Sequence, residues 1–215
     1  MYFGNIANRI SYALREKQYD MLAGLGEKTR TVAASTNNLL NNLLNWSLLQ
    51  SGRLSFGTVP ADVEAIAGQV LKTYEEVAEL KRLTINRETE PGIWVQAGAD
   101  GLAILLQNLL SNAIKFSPEG STINVRSFRE NHRAVIEVAD QGTGMPPQKV
   151  AELSSGAIQP TAIGTAGERG AGLGMQIVHE ILKRYEGELR IESREGQGST
   201  FTLLLPLALY LDNNQ

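Results

Sequence analysis

The chain has 215 residues, 42% of them hydrophobic and 20% charged, with 23 acidic side chains against 20 basic ones and a formal net charge of −3. That composition is globular, and the acidic balance argues against a nucleic-acid-binding module, which needs surplus Lys and Arg to neutralise phosphates. Cysteine is absent and His132 and His179 are the two histidines, which excludes disulfides, thiolate nucleophiles and multi-histidine metal sites. No run approaches the roughly 20 apolar residues that span a bilayer, and the N-terminal stretch lacks a signal peptide's apolar core. The chain is therefore expected to be soluble and cytoplasmic, with no membrane contact of its own, any anchor belonging to a longer parent protein.

In chain order, residues 3–22 read as a helix, with Phe3, Ile6, Ile10, Ala13 and Leu14 at three- and four-residue spacing. Gly24 and Gly26 interrupt it, and a longer helix follows from Glu27 to about Ser51, with Val32, Leu39, Leu43 and Trp46 as its seam and Leu40 and Leu44 widening it. Two such helices form a hairpin whose apolar seam is too wide for two helices to bury. It either pairs with a second hairpin in a four-helix bundle, the preferred reading, or docks on the rest of the chain. Helical periodicity stops between Arg53 and Pro60, which separates a dimerisation hairpin at 1–56 from a larger domain at 57–215.

In that larger domain Asp62 caps a helix running to Leu80, with Val63, Ile66, Val70 and Val77 on its apolar face. Short strands are expected at Leu83–Arg87 and Ile93–Gln96, a helix at Asp100–Phe116, and paired strands at Thr122–Phe128 and Ala134–Ala139 turning at Glu130-Asn131-His132. A helix at Leu173–Tyr185 and a hairpin of Leu189–Ser193 with Phe201–Leu205 close the chain. Helices alternating with antiparallel strand pairs imply an α+β sandwich, helices covering one face of a mixed, mostly antiparallel sheet.

Four motifs carry chemistry. On the helix LAILLQNLLSNAIKF, Asn108, Asn112 and Lys115 fall within roughly 60° of one another. Two carboxamides and an ammonium on one stripe suit a hydrated Mg2+ with polyphosphate, amide oxygen meeting the hard cation and lysine the phosphate charge. Asp140-Gln141-Gly142-Thr143-Gly144 follows a strand, where a carboxylate can accept from an exocyclic amine while glycine backbone leaves room for a flat ring. Gly170-Ala171-Gly172-Leu173-Gly174 opens a helix whose N–H groups can hold phosphate. It lacks the G-K-[ST] of a Walker loop, and Met175 stands where a dinucleotide fingerprint needs glycine. Gly196-Gln197-Gly198-Ser199-Thr200 precedes the last strand.

In this order and spacing the four resemble the N, G1, G2 and G3 boxes of the GHKL (Bergerat-fold) ATP-binding superfamily, and LLNNLLNWSLLQSGRLSF resembles the end of the second dimerisation helix of sensor histidine kinases. The resemblance covers residues 27–206. It implies ATP and Mg2+ as cofactors, with Asn112 ligating the metal, Asn108 and Lys115 in catalytic contact with the metal-phosphate region and Phe116 beside adenine. It further implies that Asp140 binds the adenine amino group, that Gly142 and Gly144 shape that pocket, and that Thr200 supports it from the last strand. Gly170, Gly172, Leu173 and Gly174 would form the hinge of an ATP lid spanning Lys149–Arg169. Asn108 stands where hydrolytic relatives carry glutamate, and a carboxamide cannot serve as general base; this favours phosphoryl transfer over hydrolysis. The implied partners are a second copy, through the hairpin, and the receiver domain of a response regulator.

Two departures stand out. The lid holds none of the family's phenylalanines, since there is no Phe between Phe128 and Phe201, and no histidine precedes His132 to serve as phosphoacceptor. The first helix is shorter than the second by about five residues, roughly 8 Å at 1.5 Å per residue. The expectation is a kinase core beginning after its acceptor box and unable to autophosphorylate alone; the rival readings are a degenerate kinase and a nucleotide-dependent scaffold. His132 is expected at an exposed turn and His179 on a helix surface or cap.

Overall fold

The computed structural model describes residues 26, 29, 36, 40–47, 49, 59–156, 163–168 and 172–208. The chain separates into the units Met1–Asn41 and Asn42–Gln215. The first helix of the expected hairpin and most of the second lie outside the described residues. Residues 40–47 are helical; Leu40, Leu43 and Leu44 are more than half exposed, whereas Trp46 packs on the core of the larger unit and Leu49 is buried in it.

In the larger unit, β1 (Ala61–Asp62) leads into α1 (Val63–Leu80), followed by β2 (Thr84–Thr89), β3 (Trp94–Val95) and α2 (Ala99–Phe116). Then come β4 (Thr122–Glu130), β5 (Arg133–Asp140), α3 (Pro147–Ser154), α4 (Gly174–Arg184), β6 (Glu188–Arg194) and β7 (Gly198–Pro206). The main sheet has the order β2-β4-β5-β7-β6; β2 runs parallel to β4 and the other pairs are antiparallel. A second small sheet pairs β1 with β3. The architecture is the expected α+β arrangement with a mixed, mostly antiparallel sheet, and among the described residues no helix is long and apolar enough to cross a membrane.

Strand alternation decides what the sheet offers the helices. Ala134, Ile136 and Val138 of β5 and Phe201, Leu203 and Leu205 of β7 join the core with Ile123 and Val125 of β4. Against them lies α2, whose Leu102, Leu105 and Leu109 are fully buried, each such side chain contributing about 1.5–3 kcal/mol. On the opposite face Arg126 bridges Glu88 and Glu137 from neighbouring strands at 3.5 and 3.6 Å, exposed pairs worth about 0–1 kcal/mol.

Local chemistry sets the helix ends. Asp62 caps α1, its Oδ1 accepting from the Glu64 amide at 2.9 Å. The α1 C-terminus closes on Arg82 in the left-handed region (φ 54°), with the Leu83 amide donating to the Ala78 carbonyl at 2.8 Å. Asn131 and His132 both take positive φ in the β4–β5 turn, and His132 is exposed.

Two expectations change. Val77 is 42% exposed, whereas Val63 and Val70 are buried and Ile66 packs on the core as expected; Ala67 and Ala78 complete the buried stripe, because small alanines allow close approach. The expected lid begins with a helix, α3, that the glycines and prolines around it obscured; Pro147 occupies its first turn, where a missing N–H costs nothing.

Candidate functional site

The C-terminal half of α2 is a platform on which three loops converge, one near Asn108 and two at its last turn, on Lys115 and Phe116. At Asn108, 8% exposed, the side-chain amide donates back to the Ile104 carbonyl at 2.8 Å. Its Oδ1 faces the start of α4, so closely that a Cβ on Gly174 would lie 2.6 Å away. Glycine is thus what lets the α4 N-terminus approach. Among the described residues no side chain caps that terminus, where Leu173 is the N-cap residue and Gly172 has φ +73°, and N–H groups at a helix start with the helix dipole favour an anion. One turn on, the Asn112 amide donates to the Met175 sulfur at 3.6 Å, and no described residue donates to its carbonyl oxygen.

Lys115 is half-buried, with its ammonium 4.8 Å from the Phe116 ring centroid. Burial pulls its pKa below the ordinary lysine value, and the negative charge of Glu168 partly offsets this. Glu168 belongs to residues 163–168 of the expected lid, which lie against the end of α2. The Thr165 hydroxyl donates to the Ser117 carbonyl at 2.7 Å, and its amide donates to the Lys115 carbonyl at 3.1 Å. Gly164 packs on the Lys115 side chain, where a Cβ would come within 2.6 Å of Cγ.

The third loop follows β5. Asp140 is buried, which raises its carboxyl pKa, while amide donors pull the other way: Gly142 and Ser199 donate to Oδ1 at 2.8 and 3.3 Å. Both bonds fall on one oxygen, so Oδ2 remains an acceptor that no described residue fills. A Cβ on Gly142 would sit 2.5 Å from the Phe116 carbonyl, and the Thr143 amide donates to that same carbonyl at 3.2 Å. Gly144 (φ +62°) presses on the Arg194 carbonyl and Gly198 (φ +85°) on the Asp140 carbonyl, closely enough that any side chain would collide. Ser193 ties these pieces together: its hydroxyl accepts from the Met145 amide at 2.8 Å and lies 2.9 Å from the Ser199 hydroxyl.

The structure therefore gathers Asn108, Asn112, Lys115, Phe116, Gly142 and Gly174 around one helix, with Asp140 tied in through Gly142. Gly170 and parts of the lid, residues 157–162 and 169, lie outside the described residues. Thr200 is displaced: it pairs with Ala139 and Glu192, one residue out of phase with Asp140, so its side chain is on the opposite face of the sheet. Ser199, the register partner of Asp140, takes the place beside the carboxylate. Of the two readings of His179, surface or cap, the contacts fit a cap: its Nε2 is 2.7 Å from the Leu153 carbonyl and its ring packs under Gly156 at the end of α3. Among the described residues no group of three or more His, Asp or Glu side chains could hold a metal.

Comparison with known proteins identifies the family. The family described as "Histidine kinase-, DNA gyrase B-, and HSP90-like ATPase" matches residues 97–209. The circadian input-output histidine kinase CikA of Synechococcus elongatus is 32% identical over 171 residues, covering 78% of this chain and 23% of CikA. Among solved structures, the mycobacterial sensor histidine kinase MprB aligns with 70% of this chain and 98% of its own at 25% identity and a TM-score of 0.59. Full-length ShkA in complex with AMPPNP aligns with 89% of this chain and 39% of its own, also at 25% identity, with a TM-score of 0.65. The chain spans less than half the length of the curated relatives it matches first.

Proposed function

Because the chain belongs to the histidine kinase-, DNA gyrase B- and HSP90-like ATPase family, we propose that residues 57–215 bind ATP with Mg2+ and act as the kinase domain of a sensor histidine kinase. In the longer protein this domain would transfer the γ-phosphoryl to a histidine, for relay to a response-regulator receiver domain. Residues 1–56 are assigned to the dimerisation hairpin, and the exposed Leu40, Leu43 and Leu44 fit an apolar face awaiting a second copy.

One observation carries the reading: a buried carboxylate at a strand end, with one oxygen satisfied by backbone amides and the other open, beside a loop whose glycines are held against α2. Asp140 Oδ2 is placed in this reading to accept from the adenine amino group, and Phe116 flanks the ring. The α4 N-terminus and Lys115 receive phosphate charge. The single amide oxygen of Asn112 suits Mg2+, which keeps waters and phosphate oxygens as most of its ligands and does not need a protein cage. When bound, the metal supplies charge neutralisation on the phosphates.

The protein's own work is then positioning and electrostatics, the main tasks in phosphoryl transfer. The acceptor imidazole attacks the γ-phosphorus, the bond to the β,γ-bridging oxygen breaks, and ADP leaves. Asn108 has no proton affinity with which to activate water, so it orients without promoting hydrolysis.

The test is transfer in trans. A separate domain bearing a histidine box, mixed with this chain and γ-labelled ATP, should form acid-labile, base-stable phosphohistidine. Tight ATP binding without transfer would favour a nucleotide-dependent scaffold.

A further inference from the structure

Lys81 is the C-cap residue of α1, yet its side chain works elsewhere. Its ammonium reaches the end of α2, donating to the Ile114 carbonyl at 2.7 Å and to the Lys115 carbonyl at 3.1 Å, and pairs with Glu168 Oε1 at 2.8 Å. The pair is largely sheltered, its side chains 13% and 23% exposed. The second Glu168 oxygen accepts from the Ala166 amide at 2.8 Å, closing the turn in which the Gly164 amide donates to the Glu168 carbonyl, also at 2.8 Å.

Together with Thr165 and Gly164, these contacts fasten residues 163–168 along Lys115 from its backbone to its side chain. A carboxylate also stands within electrostatic reach of the ammonium assigned to phosphate. Lys81 spends its hydrogen bonds on the final carbonyls of α2, where the dipole is negative, so it is itself fixed. Arg82, immediately after it, adopts the left-handed backbone that turns the chain beside this contact.

We propose that Lys81 and Glu168 are positioning residues that latch the 163–168 arm onto the end of α2 and hold Lys115 against it, with Glu168 as the anion that phosphate must outcompete. The inference rests on the assignment of Lys115 to the phosphates. Its consequence is selective. Neutralising Glu168 removes a competing negative charge and relaxes the hold on Lys115, which favours the highly charged triphosphate. An uncharged adenosine, recognised at Asp140, does not sense the change. Removing the Lys81 charge leaves Glu168 uncompensated beside the phosphate site and acts in the opposite direction.

Binding of AMPPNP and of adenosine to the full 215-residue chain, with Mg2+, should be measured for wild type, Glu168→Gln, Glu168→Asp and Lys81→Met. Glu168→Gln should tighten AMPPNP by about five-fold, at the lower end of typical coupling energies, and leave adenosine within a factor of about two. Lys81→Met should weaken AMPPNP, and Glu168→Asp, which keeps the charge, should stay closer to wild type than Glu168→Gln does. Equal changes for the two ligands, or none for AMPPNP, overturn the latch while leaving the nucleotide site intact. Failure of wild type to bind either ligand overturns the site assignment, and the latch with it.

Discussion

The two ends of α2 are both closed by a side chain from another element, and they are closed in opposite ways. At the N-terminus the Tyr185 hydroxyl accepts from the Gly98 amide at 3.1 Å, and the ring fills the space over Gly101, where a Cβ would lie 2.5 Å from Oη. The closure is neutral and packed, and burial pushes the tyrosine pKa up. At the C-terminus Lys81 and Glu168 bring charges, Gly142 and Gly164 bring backbone within touching distance, and Asp140 and Lys115 each have a pKa displaced by burial toward the neutral form. One end of the helix stores stability in packing, while the other keeps costly charges in partly desolvated positions. Perturbed titratable groups concentrate where ligands bind, because charges held ready in a dry site interact strongly with what enters it.

The largest effect expected from breaking this contrast is at Asp140. Asp140→Asn should lower ATP affinity by about 10- to 100-fold, the loss of a hydrogen bond to a charged acceptor. Because it removes a buried charge, it should leave the thermal midpoint unchanged or higher, as titration calorimetry and thermal unfolding would reveal. At the other end, Gly101→Ala forces a methyl group into the Tyr185 ring and should cost about 1–3 kcal/mol in denaturant unfolding with no change in nucleotide affinity of the folded protein. Loss of affinity at full stability would erase the distinction between the ends.

A pH profile sharpens the contrast further. The raised folded-state pKa of Asp140 means its contribution to stability is fully present below its unfolded value and is lost as pH rises through the folded value. In the proposed site nucleotide binding has the opposite sign, since the adenine amino group needs the carboxylate. ATP affinity should therefore climb with pH through the raised Asp140 pKa and decline through the lowered Lys115 pKa, giving a bell narrower than unperturbed groups would give. Asp140→Asn should remove the difference on the acid limb, and a profile unaltered by that substitution would count against the assignment. The smallest effect is expected at Arg82, whose left-handed backbone glycine adopts without strain. Arg82→Gly should raise stability by about 0.5–1 kcal/mol, the exposed pair with Glu119 that it sacrifices being worth little.

Much of the site was legible because its signals are local. Asn108, Asn112 and Lys115 share a stripe by helical spacing alone, and the paired glycines of the loops mark places where backbone must pass close to backbone. The glycine signal was general, whereas its partners were not. Nothing near Gly144 in sequence indicates that Arg194 is what it must clear. Thr200 and Ser199 show how narrow the margin is. Both are hydroxyl residues at the start of a strand, and the pairing of Ser199 with Asp140 alone decides which one faces the carboxylate. Lys81 gave no signal, because a lysine at a helix end reads as a solvated charge until the fold brings Glu168, 87 residues away, against it. The helix α3 was hidden by its neighbours, where turn-forming residues on either side outweighed eight residues of weak periodicity.

The sequence by itself determined the alternation of helices and strands, the α+β class, the family resemblance and the residues proposed to meet a nucleotide, because each depends on spacing within a single element or on a short motif. The tertiary structure alone decided which hydroxyl accompanies Asp140, what each glycine makes room for, and that Lys115 is gripped by a lysine–glutamate pair from two distant segments. Those outcomes depend on strand register and on how three loops crowd one helix end, and both are fixed by long-range packing.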